Sequence, residues 1–355
     1  MISDSHGHDR VVPLTGRERI LQTLRGEPAD RVPVMLHCFM AAAREYGITM
    51  REYRESPEKM AGALSAFAQK YGLDGVMTDM DTALEAHALG ATLAFPEDEP
   101  ARVVDSEPQP LNRLIDSVDP QKLYRDPRIH NYLEGLRLFK RANPDLCLRG
   151  NADQAPFSIA MLLYGMQRFM EDLLDEDLAP DLLKLIDRCY DVHLEFHKMS
   201  LAVGSDLTSF GDSSCGPNLI SRELYLKFGN PFHRRLQRDL AALGIQTVCH
   251  ICGNLDLILD DVAAVGFAGV EVDYKTNLVK ARDSLAGHSV MFGPIDPSGV
   301  FYFGSPASVA AKTREVLDIF RGRNIVIGAG CGLPAGVPAE NLRAFVSAAR
   351  EYPLV

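Results

Sequence analysis

The sequence predicts a single (β/α)8 TIM barrel with an N-terminal helical extension and an insertion after strand two. Two observations carry that reading. Eight short apolar runs alternate with segments of helical length, which implies parallel strands joined by right-handed crossovers. The chain is 355 residues long, and α/β barrels use such lengths as one domain. Several of the runs also end in glycine beside His, Cys or Asp, at the strand ends where barrel active sites form.

Residues 1–14 are expected to form a flexible tail, and 15–355 the single catalytic barrel. Asp4-x-His6 has the start of a corrinoid-binding Asp-x-His-x-x-Gly pattern, but Asp9 stands in place of the glycine. Thr15-Gly-Arg-Glu18 is a capping box that starts a helix over 16–25, stopped by Gly26-Glu-Pro28. Strand one follows at 31–37, a helix at 57–71 and strand two at 75–80. Residues 84–125 are Pro-rich and acidic with little periodicity, and read as an insertion holding a short hairpin within 91–104. A helix at 129–142 leads to strand three at 146–150, then helices at 156–174 and 179–203. Strand four is 206–211, followed by a helix at 221–243. Strand five is 246–252, with a helix at 254–265, and strand six is 269–273, with a short helix at 279–285. Strand seven is 289–296, with a helix at 306–321. Strand eight is 324–328, and a helix at 338–351 ends the chain.

Composition narrows the function. A net charge of -11 speaks against a nucleic-acid partner, which needs a basic patch. No run approaches the roughly 18 apolar residues of a membrane span. The polar N-terminus lacks an export signal, and seven cysteines in so large a chain read as free thiols and ligands. The cytoplasm is the expected compartment.

The chemistry concentrates at strands five and eight. Strand five runs into His250-Ile-Cys252-Gly253, and strand eight into Gly328-Ala-Gly-Cys331-Gly. Side chains two residues apart on a strand share a direction, so His250 and Cys252 can reach one metal ion, while Cys249 should face the other way. Cys331 supplies a third ligand if the two strand ends converge. A zinc site with three protein ligands keeps an open position and is catalytic, whereas structural sites are usually closed by four. The competing reading is a core histidine with two buried thiols.

Other polar residues fall near the same face. Asp212, Glu271, Asp273 and Asp296 lie at or near the ends of strands four, six and seven. One of them could orient His250 through its second nitrogen or occupy the vacant metal position; the alternative for each is a carboxylate capping a turn. Asp212, Glu271 and Asp296 are the catalytic candidates, and His37, Asp79 and Asp273 the candidates for lining a cofactor pocket, with Cys38 and Asp81 as neighbours. His193-x-x-x-His197 has ligand spacing on a helix but is expected to serve packing or an outer surface. Cys215 is expected to be a packing thiol.

Across most of its length the sequence resembles the uroporphyrinogen decarboxylase superfamily, and within it the zinc-dependent corrinoid methyltransferase branch, which includes methylcobamide:coenzyme M methyltransferases. Loose superfamily likeness runs through the Glu18 to Gly26 segment, Asp30-Arg-Val-Pro-Val34, Tyr71-Gly-Leu-Asp74, Ala155-Pro-Phe157 with Gly165, Gly204-Ser-Asp206, Gly211-Asp212 and Gly293-Pro-Ile-Asp-Pro297. The specific part is His250-x-Cys252-Gly253 with Gly330-Cys331-Gly-Leu-Pro334, which matches the branch's His-x-Cys…Cys zinc motif. Two departures stand out. The metal-free decarboxylases grip substrate carboxylates with an Arg-rich N-terminal segment, and the matching residues 34–40 contain no arginine. Pro294 stands where relatives often carry Asn.

The resemblance implies zinc held by His250, Cys252 and Cys331, a methylcorrinoid as co-substrate, and a small thiol such as coenzyme M as acceptor. Zinc would deprotonate the thiol, whose free pKa is about 8.5, and keep it nucleophilic toward the methyl group on cobalt. With no intact corrinoid motif here, the corrinoid would arrive on a separate protein or as free cobalamin. The opposite direction, a demethylase passing a methyl group from a methylated small molecule to cob(I)alamin, stays open. So do a metal-free decarboxylase and a barrel that keeps zinc for stability, and a monomer or a homodimer.

Overall fold

The computed structural model describes residues 13–104 and 109–354; the Asp4-x-His6 pattern lies outside them. Eight parallel strands form one sheet in chain order: β1 (Met35–His37), β2 (Gly75–Thr78), β3 (Cys147–Gln154), β4 (Leu207–Gly211), β5 (Thr247–Ile251), β6 (Gly269–Val272), β7 (Val290–Ile295) and β8 (Ile325–Ala329). The sheet closes where Val34 bridges Ile327 in parallel and the Ile327 amide donates to the Pro33 carbonyl at 2.9 Å. The predicted barrel is the fold. Among the described residues, no helix is long and apolar enough to cross a membrane.

Strand parity sorts side chains into two layers. Met35, Cys147, Leu207, Val248, Val290, Phe292 and Val326 fill the barrel interior, and Ile20 from the first helix joins them from below. The alternate residues, among them Leu36, Leu148, Cys249, Ile251, Val270 and Ile327, pack outward against the helices. Cys249 therefore points away from His250, as its register predicts. The first helix, Gly16–Leu24, starts with the full Thr15/Glu18 capping box. Its Arg19 is buried and pairs with Asp74 at 2.5 Å, which fixes the helix across the base of the barrel.

Several elements depart from expectation for local reasons. Strand one is shorter than 31–37 because Pro33 has no N–H to give the ladder. Two helices after it, Phe39–Tyr46 and Met50–Glu55, were not anticipated, although Thr49 and Glu52 form a capping box. The helix expected over 156–174 is two, Pro156–Tyr164 and Met166–Asp172, separated at Gly165 with φ +95°. The one expected over 221–243 begins with Arg222–Leu224, widens into a π-type turn at Tyr225–Gly229 and resumes at Asn230–Ala242. Pro231 explains the widening, since it cannot donate to the turn before it.

After β5 only Leu259–Ala263 is helical, because the Leu255 amide goes to Thr276 Oγ1 and the Asp256 amide to Asn254 Oδ1. Strand three runs on to Gln154 through a register shift, with Asp153 at φ +58°. The 84–125 insertion holds the expected hairpin, Leu93–Ala94 with Arg102–Val103. It also contains helices at Leu84–Leu89 and Leu111–Ser117 and a 3-10 turn at Pro120–Arg125.

Candidate metal centre

The ends of β5 and β8 meet. His250 Nε2 lies 2.9 Å from Cys252 Sγ, and Cys252 Sγ lies 3.8 Å from Cys331 Sγ. One ligand atom from each of the three residues falls within 4.8 Å of the others. His250 is buried and both thiols are half-buried, so the donors sit at the strand ends above the packed barrel interior. Two sulfurs and an imidazole nitrogen make a donor set suited to zinc.

Backbone geometry brings them together. Gly253 turns the chain at φ +95° directly after Cys252, and its amide donates to Asp273 Oδ2 at 2.8 Å. A Cβ on Gly330 would sit 2.9 Å from the Val272 carbonyl oxygen and 3.1 Å from Asp273 Cα. Only glycine lets the strand-eight tip pass that close to strand six and deliver Cys331 beside Cys252.

The trio favours a thiolate on Cys252 beside a protonated His250. A hydrogen bond from Cys331 and the neighbouring His250 charge hold the Cys252 thiol well below its ordinary range, against burial. The shared contact, together with burial, pushes Cys331 up. Burial alone would lower His250, but Cys252 and Glu271 outweigh it and push the imidazole up to about 10. Elsewhere burial keeps thiols protonated: Cys38 is pushed up to about 12, and Cys147, Cys189, Cys215 and Cys249 also rise. Cys252 is thus set apart from the six other cysteines, all of which are pushed up.

Glu271 is the carboxylate that lies against His250. His250 Nδ1 is 3.2 Å from the Glu271 carbonyl oxygen and 3.6 Å from its Oε1. Donation from Nδ1 to that carbonyl orients the ring so that Nε2 faces the thiols and would serve as the ligand atom once its proton is lost to a bound metal. Glu271 is itself paired with Arg149, which is wholly buried inside the barrel and lies over the Phe292 ring at 5.2 Å. Burial opposes the charge on Glu271, but Arg149 and His250 keep its pKa lowered. Arg149 was not anticipated from the sequence. A lone charge in an apolar strand is a visible signal, but its partner lies 122 positions away.

The remaining candidates divide. Asp273 holds the turn after Cys252, accepting from Gly253 and, at 3.1 Å, from Lys275. His37 Nε2 lies 3.1 Å from Asp79 Oδ2, and its ring would be 3.5 Å from a Cβ on Gly332, next to Cys331. This pair therefore borders the trio from the β1–β2 side. Asp212 sends its carboxylate elsewhere: Oδ1 accepts from Ser158 Oγ at 2.6 Å, and Oδ2 lies 2.9 Å from His233 Nε2. Asp296 accepts the amides of Ser298 and Gly299 at 2.9 Å each, as a turn cap. Cys215 is a buried packing thiol. His193 and His197 are fully buried rather than on an outer surface. Their Nε2 atoms are 3.1 Å apart, with Glu85 beyond one ring and Thr208 beyond the other.

The sequence is 27% identical over 349 residues to a methylcobamide:CoM methyltransferase, MtbA, of Methanosarcina acetivorans, covering 95% of this chain and 98% of that protein. It is 27% identical over 330 residues to a uroporphyrinogen decarboxylase of Syntrophotalea carbinolica, covering 89% and 92%. A solved methyltransferase from Methanosarcina mazei shares the fold with a TM-score of 0.87 at 24% identity, covering 96% of this chain and 99% of that one. The family model described as uroporphyrinogen decarboxylase (URO-D) matches residues 15–352, and the chain belongs to that family.

Proposed function

We propose that the protein transfers a methyl group between a corrinoid and a small thiol, with zinc held by His250, Cys252 and Cys331. The observation that carries this reading is the convergence of two sulfurs and one imidazole nitrogen within 4.8 Å, in a chain that aligns nearly end to end with methylcobamide:CoM methyltransferases. Bound zinc would supply the Lewis acidity that keeps a substrate thiol deprotonated near neutral pH.

The chain's own residues do the positioning. Glu271 fixes the His250 tautomer through its carbonyl, and Arg149 fixes Glu271. Asp273 pins the turn that presents Cys252, while Ser213 Oγ accepts the Cys252 amide at 3.4 Å. His37 and Asp79 border the site and would contact the incoming thiol or the corrinoid edge. A decarboxylase has less support, because the buried cation in the barrel, Arg149, is already committed to Glu271 and residues 34–40 offer none. The seven cysteines, all free, suit a reducing compartment such as the cytoplasm.

The test is a mixture of purified protein, methylcobalamin and coenzyme M, followed by the visible spectrum of the corrinoid. The expected result is thiol-dependent loss of the methylcobalt spectrum with formation of the methyl thioether. If neither coenzyme M nor other small thiols are methylated, and a methylated thiol does not methylate cob(I)alamin in reverse, the reading fails.

A further inference from the structure

A second site lies outside the barrel, where a cavity of ≈ 350 Å³ opens between the helix Met50–Glu55, Phe95 of the insertion and the start of the helix Pro127–Ala142. Arg54 and Arg128 both line it, with their guanidinium carbons 5.6 and 5.2 Å from the centroid of the Phe95 ring. Both arginines are buried, at 4% and 9% exposure. Arg54 donates to the carbonyl oxygens of Pro96 and Glu99 at 2.6 and 3.1 Å, and among the described residues it has no carboxylate partner. Arg128 gives Nη2 to Asp81, yet its Nε and Nη1 are buried without any hydrogen-bond partner. Buried donors are almost always met, and two on one guanidinium are costly to leave open. The nearby acids are otherwise engaged: Glu55 lies 3.2 Å from Arg51, and Asp126 2.6 Å from His87.

Of the two buried guanidiniums only Arg128 is paired with a carboxylate, in a chain whose net charge is -11. Oxygen acceptors on an anion are what such donors recognise best. Phe95 is 48% exposed and offers an apolar ledge beside them. We infer that this cavity binds a small oxyanion, a carboxylate, sulfonate or phosphate, carried on a compact apolar or aromatic body that rests on Phe95. None of the three metal-centre residues lines the cavity, and the inference does not depend on the methyl-transfer reading. Asp81 nevertheless links it toward the barrel mouth, since the charge on Asp79 bears on Asp81 and Asp79 contacts His37.

Calorimetric titration of the full-length protein with benzoate, methanesulfonate and inorganic phosphate tests the inference. At least one should bind saturably and more weakly as salt rises. Arg54→Gln should weaken that binding by about ten-fold or more, from the loss of charge-assisted hydrogen bonds, and Arg54→Lys should retain most of it. Phe95→Ala should weaken benzoate more than phosphate. Cys331→Ala should bind as the wild type does; if it loses the anion, the ligand sits at the metal centre and the inference is wrong. It is equally overturned if none of the three probes binds, or if Arg54→Gln binds them unchanged.

Discussion

His250 and Glu271 stand opposite one another on adjacent parallel strands, and His250 Nδ1 lies 3.2 Å from the Glu271 carbonyl oxygen. One strand pairing thus sets both the orientation of the imidazole and the position of the carboxylate behind it. Below them Arg149 completes a buried chain of charge.

Glu271→Gln keeps the shape of that chain and removes its negative charge. Arg149 would then be an uncompensated cation inside the barrel, a change that costs about 3–5 kcal/mol when one partner of a buried pair is lost. Urea unfolding of the variant should show a loss of that order. Metal affinity should change far less, because the main-chain carbonyl that orients His250 is kept, and competition with a chelating dye reads it. A variant as stable as the wild type would mean that Arg149 is not held by Glu271.

Asp273→Ala separates site geometry from fold stability. The Gly253 and Lys275 amides lose their acceptor, which costs about 1–3 kcal/mol of stability if the groups stay buried. The turn that aims Cys252 loosens at the same time. Weaker metal binding with a cooperative unfolding transition is the expected outcome, measured by dye competition and thermal melts on one preparation.

The paired histidines make stability depend on pH. Burial lowers His197 to about 3, and burial with the His197 and His233 charges lowers His193 well below its ordinary value. Both are neutral in the fold and protonate in the unfolded chain below about pH 6.5. Stability from each is therefore full above that pH and lost as pH falls toward the folded value, by up to about 1.4 kcal/mol per pH unit. Asp81, raised to about 6 by burial, works in the opposite sense. The difference between wild type and His197→Asn cancels that contribution. Urea unfolding at descending pH should show the wild type losing stability more steeply than the variant; parallel curves would contradict buried neutral histidines.

What could be read from the sequence was what repeats locally. Apolar runs alternating with helical stretches placed all eight barrel strands, and the two-residue parity of a strand put His250 and Cys252 on the inner face and Cys249 on the outer. Convergence of Cys331 followed from the barrel, since both strand tips open on one face. Partners distant in sequence were hidden. Arg149 finds Glu271, and His193 finds Glu85, across 122 and 108 positions, and no local pattern marks such pairs. Asp212 and Asp296 look alike in sequence to Asp273, yet their carboxylates turn to His233 and to a helix start; only the packed fold distinguishes them. The helix Met50–Glu55 is a different kind of miss, because its Thr49/Glu52 capping box was visible in the sequence.

The central claim is that β5 and β8 deliver one metal site, and metal analysis tests it most directly. Wild-type protein expressed with ample zinc should carry about one zinc per chain, and Cys331→Ala, purified in parallel and shown folded by circular dichroism, should carry far less. A wild type without zinc, or a folded Cys331→Ala variant that retains it in full, would contradict the account.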